Sequence, residues 1–257
     1  MSDTLGILGV GHLASYVVAG LRNAGDKRHI LLSPRGKETA ERLRLEHDCE
    51  IVTDNQTLVD RCDTLLIAVR PAQLESLLKP LSFKPNQLLI SCAAGVSLAQ
   101  LKPLTAPALV VRTLPLACAE FGAGAVPLFP DNETAGKLLS QLGELIVFEN
   151  EEKFELASTA ACMNGWIYDF LDQLSGWFAD QGLSPEQARA LVTQQISGAT
   201  ALASARPDLP LSEISASIAT EGTFTKTGLD LLADRHAIAP WKEACEAIQK
   251  ALSAGSE

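Results

Sequence analysis

Glycine spacing near the N-terminus is the first feature of this sequence that could do chemistry. Gly9, Gly11 and Ala14 form a G-x-G-x-x-A pattern between an apolar run, 5–10, and a helical stretch. Gly9 allows a tight turn, Gly11 lets the backbone approach a pyrophosphate, and the helix start offers free N–H groups to the anion. The spacing predicts a dinucleotide site. The alternative is a glycine-rich turn without a ligand.

Two further residues of this turn, His12 and Leu13, are predicted to contact the cofactor. For His12 we expect packing or a backbone contact rather than proton transfer. The end of the second predicted strand indicates which dinucleotide binds, because NAD enzymes usually carry Asp or Glu there. This chain has Ser33 and Arg35 instead, which can donate hydrogen bonds to a 2′-phosphate, so the sequence favours NADP. Alternatively, Arg35 and Lys37 are solvated residues at a helix start.

The elements that would position these residues alternate along the first half of the chain. Helices are predicted at 13–23 and 38–45. The predicted strands are short and apolar, and they cover 5–10, 29–33, 50–52, 64–69, 88–92, 108–112, 124–128 and 145–148. Such alternation is typical of α/β proteins with a parallel, doubly wound sheet, so we predict a Rossmann domain over 1–150 that binds NADP.

The pattern changes after a charged break at 149–153. Helices are predicted over 154–179, from Ser184 to 205, over 212–219 and 227–234, and from Pro240 to 250, the second with a Ser-Pro-x-Gln capping signature. Residues 151–257 are therefore predicted to form an all-helical domain. A domain this small and apolar often completes its core by oligomerising, so we expect a homodimer or a higher homo-oligomer.

Composition narrows the function classes. The 257 residues carry a net charge of −10 without a local basic patch, which argues against nucleic acid as a partner. There is no apolar run long enough for a bilayer and no basic leader, so we expect a cytoplasmic protein with no membrane partner. The six cysteines lack a C-x-x-C pair and are expected to be reduced and buried. The four histidines lack metal-ligand spacing, so no metal site is predicted.

Several short motifs follow the fingerprint in a fixed order. After the fourth and fifth predicted strands stand Val69-Arg70-Pro71 and a Ser-Cys-Ala-Ala-Gly-Val run that includes Ala93 and Gly95. Farther on come Arg112-Thr113-Leu114-Pro115, Gly182-Leu183 and Gly198-Ala199. In order and spacing these motifs resemble those of the pyrroline-5-carboxylate reductases, over most of the chain. The resemblance implies that Val69, Arg70, Pro71, Ala93 and Gly95 bind the cofactor.

The same resemblance implies a reaction and a substrate site. In that family NADPH reduces a cyclic imine, pyrroline-5-carboxylate, in proline biosynthesis, and a loop reading Ser-Pro-Gly-Gly-Thr-Thr cradles the substrate carboxylate. The matching residues here are 220–225, Thr-Glu-Gly-Thr-Phe-Thr. Thr220, Gly222 and Thr223 are thus expected to bind the small-molecule imine. Thr225 is the expected hydrogen-bond partner of the imine nitrogen, or alternatively a helix N-cap.

This chain departs from the family pattern mainly in the substrate half. Glu221 replaces Pro and Phe224 replaces Thr in the loop, and the family's Ser-Gly-Ser-Gly-Pro-Ala-Tyr run is Cys-Met-Asn-Gly-Trp-Ile-Tyr here. Asn164 of that run is expected to bind substrate where the family has Ser. The departures leave two alternatives open. One is a non-catalytic NADP-binding sensor or scaffold. The other is a 3-hydroxyacid-type dehydrogenase, which would need a lysine such as Lys153 or Lys226 as its general acid/base.

Overall fold

The computed structural model describes residues 4–254. Its N-terminal half alternates strands and helices, and its C-terminal half is helical, as predicted. The strands are β1 (Thr4–Leu8), β2 (His29–Leu32), β3 (Glu50–Ile51), β4 (Thr64–Ile67), β5 (Leu88–Ser91), β6 (Leu109–Thr113), β7 (Ala125–Phe129) and β8 (Glu144–Val147). The helices between them are α1 (His12–Asn23), α2 (Lys37–His47), α3 (Asn55–Arg61), α4 (Leu74–Leu78), α5 (Leu98–Thr105) and α6 (Glu133–Leu139).

The eight strands form one sheet in the order β3-β2-β1-β4-β5-β6-β7-β8. Neighbouring strands are parallel, with one exception: β7 pairs antiparallel with β6, opposing Arg112 to Phe129. The prediction of a parallel sheet is therefore wrong at this pairing. Residues 114–124 between these strands hold only a short 3₁₀ helix, Ala117–Phe121, and a parallel connection needs a longer crossover. β8 pairs parallel with β7, so the sheet is mostly parallel.

Both faces of the sheet are covered, which makes the domain doubly wound. Alternate residues of the central strands enter two separate apolar cores; Ile7 of β1 lies in one and Leu8 in the other. Helices α1, α2 and α6 pack on the first face, and α3, α4 and α5 on the second. Because parallel strands all end at the same edge, this arrangement brings the segments after β1, β2, β4 and β5 together.

The C-terminal half contains α7 (Glu151–Asp180), α8 (Pro185–Ala205), α9 (Leu211–Ile218), α10 (Phe224–Asp234) and α11 (Ala239–Ala254). The capping box predicted at the start of α8 is confirmed, with Ser184 and Gln187 bonded reciprocally. Helix α10 begins three residues before its predicted start. Among the residues described, no helix is both long enough and apolar enough to cross a membrane.

The chain divides into two compact units, one of residues 4–161 with 251–254 and the other of residues 162–250. The division falls inside α7, whose first turns belong to the first unit. In the second unit the described buried apolar residues are Ala188, Val192 and Ala219, all small or medium in size. Large apolar side chains are exposed instead, among them Trp177 at 56%. So small a core leaves much apolar surface for a partner to cover.

All six cysteines lie within the described residues, and no disulfide joins them. Cys49, Cys62 and Cys92 are buried, and burial raises the pKa of the Cys62 and Cys92 thiols to about 12. These thiols are protonated at neutral pH and behave as small apolar groups. The prediction that the cysteines are buried is wrong for Cys162, which lies on an exposed face of α7.

Asp26, in the turn after α1, is held by several hydrogen bonds, one of them from a distant part of the domain. Its carboxylate accepts hydrogen bonds from the backbone N and Nε of Arg28, at 2.9 and 2.7 Å, and from Nε2 of Gln141 at 3.1 Å. Burial alone would raise the pKa of Asp26, but these bonds outweigh it and hold that pKa below its usual value. A carboxyl with a lowered folded-state pKa stabilises the fold above its unfolded pKa of about 4, and this contribution is lost as the pH falls through the folded value.

Asp26→Asn is therefore expected to lower the free energy of unfolding at pH 7 by about 1–2 kcal/mol. The difference from wild type should shrink below pH ~4 and vanish once wild-type Asp26 is protonated. Urea unfolding at a series of pH values measures both effects. Asp131→Asn removes an equal charge at an exposed position and serves as the control. A constant difference across the pH series would contradict the assignment.

Candidate cofactor and substrate site

A cavity of about 660 Å³ lies where β1, β2, β4 and β5 end. The segment after each of these strands contributes to its wall: 9–13 after β1, 33 and 35–36 after β2, 68–71 after β4 and 92–94 after β5. This is the edge at which parallel α/β sheets bind their ligands.

The glycine-rich turn forms the floor of the cavity. Gly9 has φ of +93°, and a Cβ there would lie 2.3 Å from Cγ1 of Val69 and 2.9 Å from the carbonyl oxygen of Ala68. A side chain is therefore excluded at Gly9. At Gly11 a Cβ would meet nothing within 4 Å, so open space faces this backbone. His12 begins α1, and the free N–H groups of its first turn are available to an anion.

Ser33 and Arg35 lie at the β2 end of the cavity. Ser33 is only 2% exposed, and its Oγ accepts a hydrogen bond from the backbone N of Gly9 at 3.1 Å. The hydroxyl thus braces the glycine-rich turn and retains its own proton to donate. Arg35 is exposed, and the next residue, Gly36, is the N-cap of α2 with φ of +80°. The planar guanidinium of Arg35 suits a phosphate.

The structure places most of the predicted cofactor residues around this one cavity: Gly9, Gly11, His12, Leu13, Ser33, Arg35, Val69, Arg70, Pro71 and Ala93 all line it. Gly95 does not line it. This glycine has φ of +68° in the loop between β5 and α5, where a Cβ would come 3.9 Å from Cδ2 of Leu252. Its position indicates a role in the shape of the loop.

Asn55 lines the cavity but was not predicted from the sequence. It is the first residue of α3, just after the Asp54 N-cap, and its Oδ1 is buried with no partner in the part of the chain described. A buried polar atom without a partner is costly, so this oxygen is suited to receive a hydrogen bond from a bound molecule. Its sequence signal was weak, because an Asn next to an Asp cap is common at any helix start.

The charges on the cavity wall have one sign. Its charged residues are Arg35 and Arg70, and no Asp or Glu is among its described lining residues. This contrasts with the net charge of −10 for the chain. A wall of this kind favours an anionic ligand such as a phosphorylated dinucleotide.

The predicted substrate loop is a turn followed by α10. The backbone N of Thr223 donates to the carbonyl of Thr220 at 3.1 Å, and Gly222 adopts φ of +81° inside the turn, a conformation that favours glycine. Thr223 is the N-cap: its Oγ1 accepts from the backbone N of Lys226 at 3.2 Å and donates to Thr220. The alternative role of Thr225 as the N-cap is therefore wrong. Thr225 is the second residue of α10 and exposed.

Residues 162–168 of α7, where this chain departs from the family pattern, lie in the second compact unit. The predicted substrate loop, 220–225, lies in the same unit. Asn164 is half-buried on this helix. Trp166, where the family has Pro, packs edge-on against Trp241 of α11 with ring centroids 6.0 Å apart. The large side chain thus joins two helices of the unit, and α7 runs through this position without a break.

Fold and cavity together define a Rossmann-type dinucleotide-binding protein with a helical C-terminal part. The family model described as "NADP oxidoreductase coenzyme F420-dependent" matches residues 4–95. The model described as "Pyrroline-5-carboxylate reductase dimerisation" matches residues 151–254. The first model thus matches the N-terminal part of the chain, and the second matches the C-terminal part.

Relatives and solved structures agree with these models. The chain is 31% identical over 212 residues to pyrroline-5-carboxylate reductase of Pseudomonas aeruginosa, covering 77% of each protein, and 26% identical to that of Haemophilus influenzae, covering 90% of each. Its fold is similar to pyrroline-5-carboxylate reductase of Coxiella burnetii, with a TM-score of 0.87, 20% identity and 100% and 99% coverage. The chain belongs to the pyrroline-5-carboxylate reductase family.

Proposed function

We propose that this protein is an NADPH-dependent reductase of the C=N bond of a cyclic imine, pyrroline-5-carboxylate or a related compound, and so serves proline biosynthesis or a similar pathway. The observation that carries the proposal is the cavity at the strand ends, with its glycine-rich floor and its purely cationic charged residues, in a chain of this family. The relatives named above carry the activity in their names.

NADP(H) fits the residues of the cavity. The open space at Gly11 leaves room for a pyrophosphate against the backbone, and Ser33 and Arg35 offer donors to a 2′-phosphate. The unpartnered Oδ1 of Asn55 offers an acceptor to a ribose hydroxyl. When bound, NADPH supplies the hydride for the reduction.

The residues of the second unit would then address the substrate. Thr225 would donate a hydrogen bond toward the imine nitrogen and so support the protonation that converts the imine into an iminium. Thr220, Gly222 and Asn164 bind the rest of the molecule. The role of Thr223 is narrower, because its hydroxyl proton is already donated to Thr220 and only its lone pairs and backbone remain. An iminium is electrophilic without further activation, so this set suffices.

NADPH consumption with a panel of cyclic imines, with and without a carboxylate, tests the activity. Turnover of at least one of them is expected. Tight NADP binding without turnover of any would instead support the second candidate, an NADP-binding sensor. The altered loop favours that candidate, since Phe224 is 98% exposed where the family has Thr.

We further infer that the protein is a homodimer, with 1–150 as the NADP-binding domain and 151–257 as the dimerisation and substrate domain. The family model for dimerisation and the small core of residues 162–250 support this assembly, built from α7, α8 and the helices after 212. A cytoplasmic location is proposed with it, supported by the buried thiols of Cys49, Cys62 and Cys92, which form no disulfide.

Trp177→Glu is expected to weaken the dimer, because the mutation places a charge on an apolar surface that the partner covers. Light scattering at micromolar protein should show a dimer for wild type and a larger monomer fraction for the variant. Leu45→Glu, at an exposed position on α2, is the control and should stay dimeric. A wild-type monomer with full activity would contradict the assembly.

A further inference from the structure

Glu151, the first residue of α7, joins three elements of the first compact unit. Its Oε1 accepts a hydrogen bond from the backbone N of Leu98 at 2.7 Å and another from Nη1 of Arg112 at 2.7 Å. Leu98 is the first residue of α5, and Arg112 lies on β6. One carboxylate oxygen therefore ties the start of α7 to the start of α5 and to the sheet.

The loop between β5 and α5 is held at both ends. At the β5 end, the backbone N of Cys92 donates to the carbonyl of Ile67 at 2.9 Å. At the α5 end, Ser97 caps the helix through a reciprocal bond with Gln100, and Glu151 holds the next residue, Leu98. Cys92, Ala93 and Ala94 of this loop line the cofactor cavity. The carboxylate of Glu151 is thus a contact from α7 that holds the α5 end of a loop in that cavity's wall.

The order of strands shows which part of the cofactor this wall would meet. Arg35 follows β2, the glycine-rich turn follows β1, and the 92–96 loop follows β5, on the far side of β4. If the 2′-phosphate lies at Arg35 and the pyrophosphate at the turn, the nicotinamide reaches toward β4 and β5. The loop held by Glu151 then borders the nicotinamide half of NADPH and not the adenosine half.

We propose that Glu151 is a positioning residue: it holds the 92–96 loop in the shape that receives the nicotinamide half of the cofactor. The inference rests on the proposed cofactor and is independent of the substrate. It also links the cofactor site to α7, the helix that continues from the first compact unit into the second.

Arg112 bonds to two glutamates, Glu151 and Glu155, and comparing them separates an effect on the 92–96 loop from a general loss of stability. This residue is 1% exposed, its guanidinium lies 4.6 Å from the ring centre of Phe154, and its Nη1 also donates to Oε1 of Glu155. Removing either glutamate leaves Arg112 paired with the other, so neither variant strands a buried charge. The two glutamates differ in their other partner: Glu151 accepts the hydrogen bond from Leu98, whereas Glu155 accepts one from Oγ of Ser158 at 3.4 Å.

The test compares two ligands by titration calorimetry: NADPH, and 2′,5′-ADP, which has the phosphorylated adenosine half without nicotinamide. For Glu151→Ala we expect the Kd of NADPH to rise about tenfold and that of 2′,5′-ADP to stay unchanged. Glu155→Ala removes the same charge from the same arginine and should leave both constants unchanged. Glu151→Gln keeps an oxygen for Leu98 and should restore most of the NADPH affinity.

Equal weakening of both ligands, or equal effects of the two alanine variants, would overturn the proposal. If Glu151→Ala does not fold, Glu151→Asp replaces it: the charge stays but the side chain is one methylene shorter, and selective loss of NADPH affinity is again expected. An unchanged ratio of the two constants in that variant would also overturn it. Wild type that binds neither ligand would count against the proposed cofactor, which keeps the two failures apart.

Discussion

Arg35→Ala is expected to weaken NADPH binding by about 1–3 kcal/mol, the usual effect of losing a charge-assisted hydrogen bond to a phosphate. The affinity for NADH should barely change, because NADH has no 2′-phosphate for Arg35 to meet. Arg35 lies on the cavity wall at the β2 end, and no carboxylate is found among the described residues of that wall to compete for it. Fluorescence titration of the two reduced cofactors measures both constants.

Lys37→Ala is the matched control for Arg35. Lys37 carries the same charge two residues farther on, is exposed, and begins α2. The Lys37→Ala variant should lose much less NADPH affinity than Arg35→Ala, since the exposed charge of Lys37 acts on the 2′-phosphate only through solvent, where salt screens it. Equal losses for NADPH and NADH in Arg35→Ala would show that Arg35 is a solvated helix-start residue and that the preference for NADP has another source.

Most residues of the cavity at the strand ends were predictable because their signals are local. A strand, a glycine-rich turn and a helix follow one another directly along the chain, so Gly9, Gly11 and His12 could be placed from spacing alone. The residue after β2 sits at a position that the strand order fixes, which made Ser33 and Arg35 predictable too. The buried role of Ser33 as an acceptor for Gly9 required the three-dimensional structure.

Features that depend on distant contacts were not predictable from the sequence. The reversal of β7 follows from its short connection to β6, and the pattern of an isolated strand carries no sign of its direction. Glu151 and Arg112 are 39 residues apart, and the sequence around each of them gives no sign that the two form an ion pair. Four threonines near the start of α10 are possible N-caps by sequence. In the structure the N-cap is Thr223, which directly follows the turn at Gly222.

Glu221 occupies the second position of the turn closed by Thr223 and Thr220. It lies before the N-cap Thr223 and therefore outside the first turn of α10. The nearby cation, Lys226, is bound to both carboxylate oxygens of Asp230, at 2.6 and 2.7 Å. Lys226 interacts more strongly with Asp230 than with Glu221, so the negative charge of Glu221 is only partly compensated.

Glu221→Pro is therefore expected to raise kcat/KM for pyrroline-5-carboxylate more than for an uncarboxylated cyclic imine. The difference should be about 1 kcal/mol, since Glu221 is exposed in this chain, and would reach a few kcal/mol only in a drier site. Proline is compatible with the second position of such a turn, so the backbone should keep its shape. Glu221→Gln removes the charge without adding proline and should reproduce most of the effect.

Thr225→Ala completes the comparison, because Thr225 is proposed to address the nitrogen that both imines share. It should depress turnover of both substrates alike, whereas the Glu221 variants discriminate between them. Thr227→Ala, one residue beyond Lys226 on the same exposed helix, is the control for loss of a hydroxyl. Steady-state kinetics of these variants on the two imines separate charge selection from chemistry. If wild type reduces the carboxylated imine as efficiently as the uncarboxylated one and neither Glu221 variant changes the ratio, the charge of Glu221 does not reach the substrate.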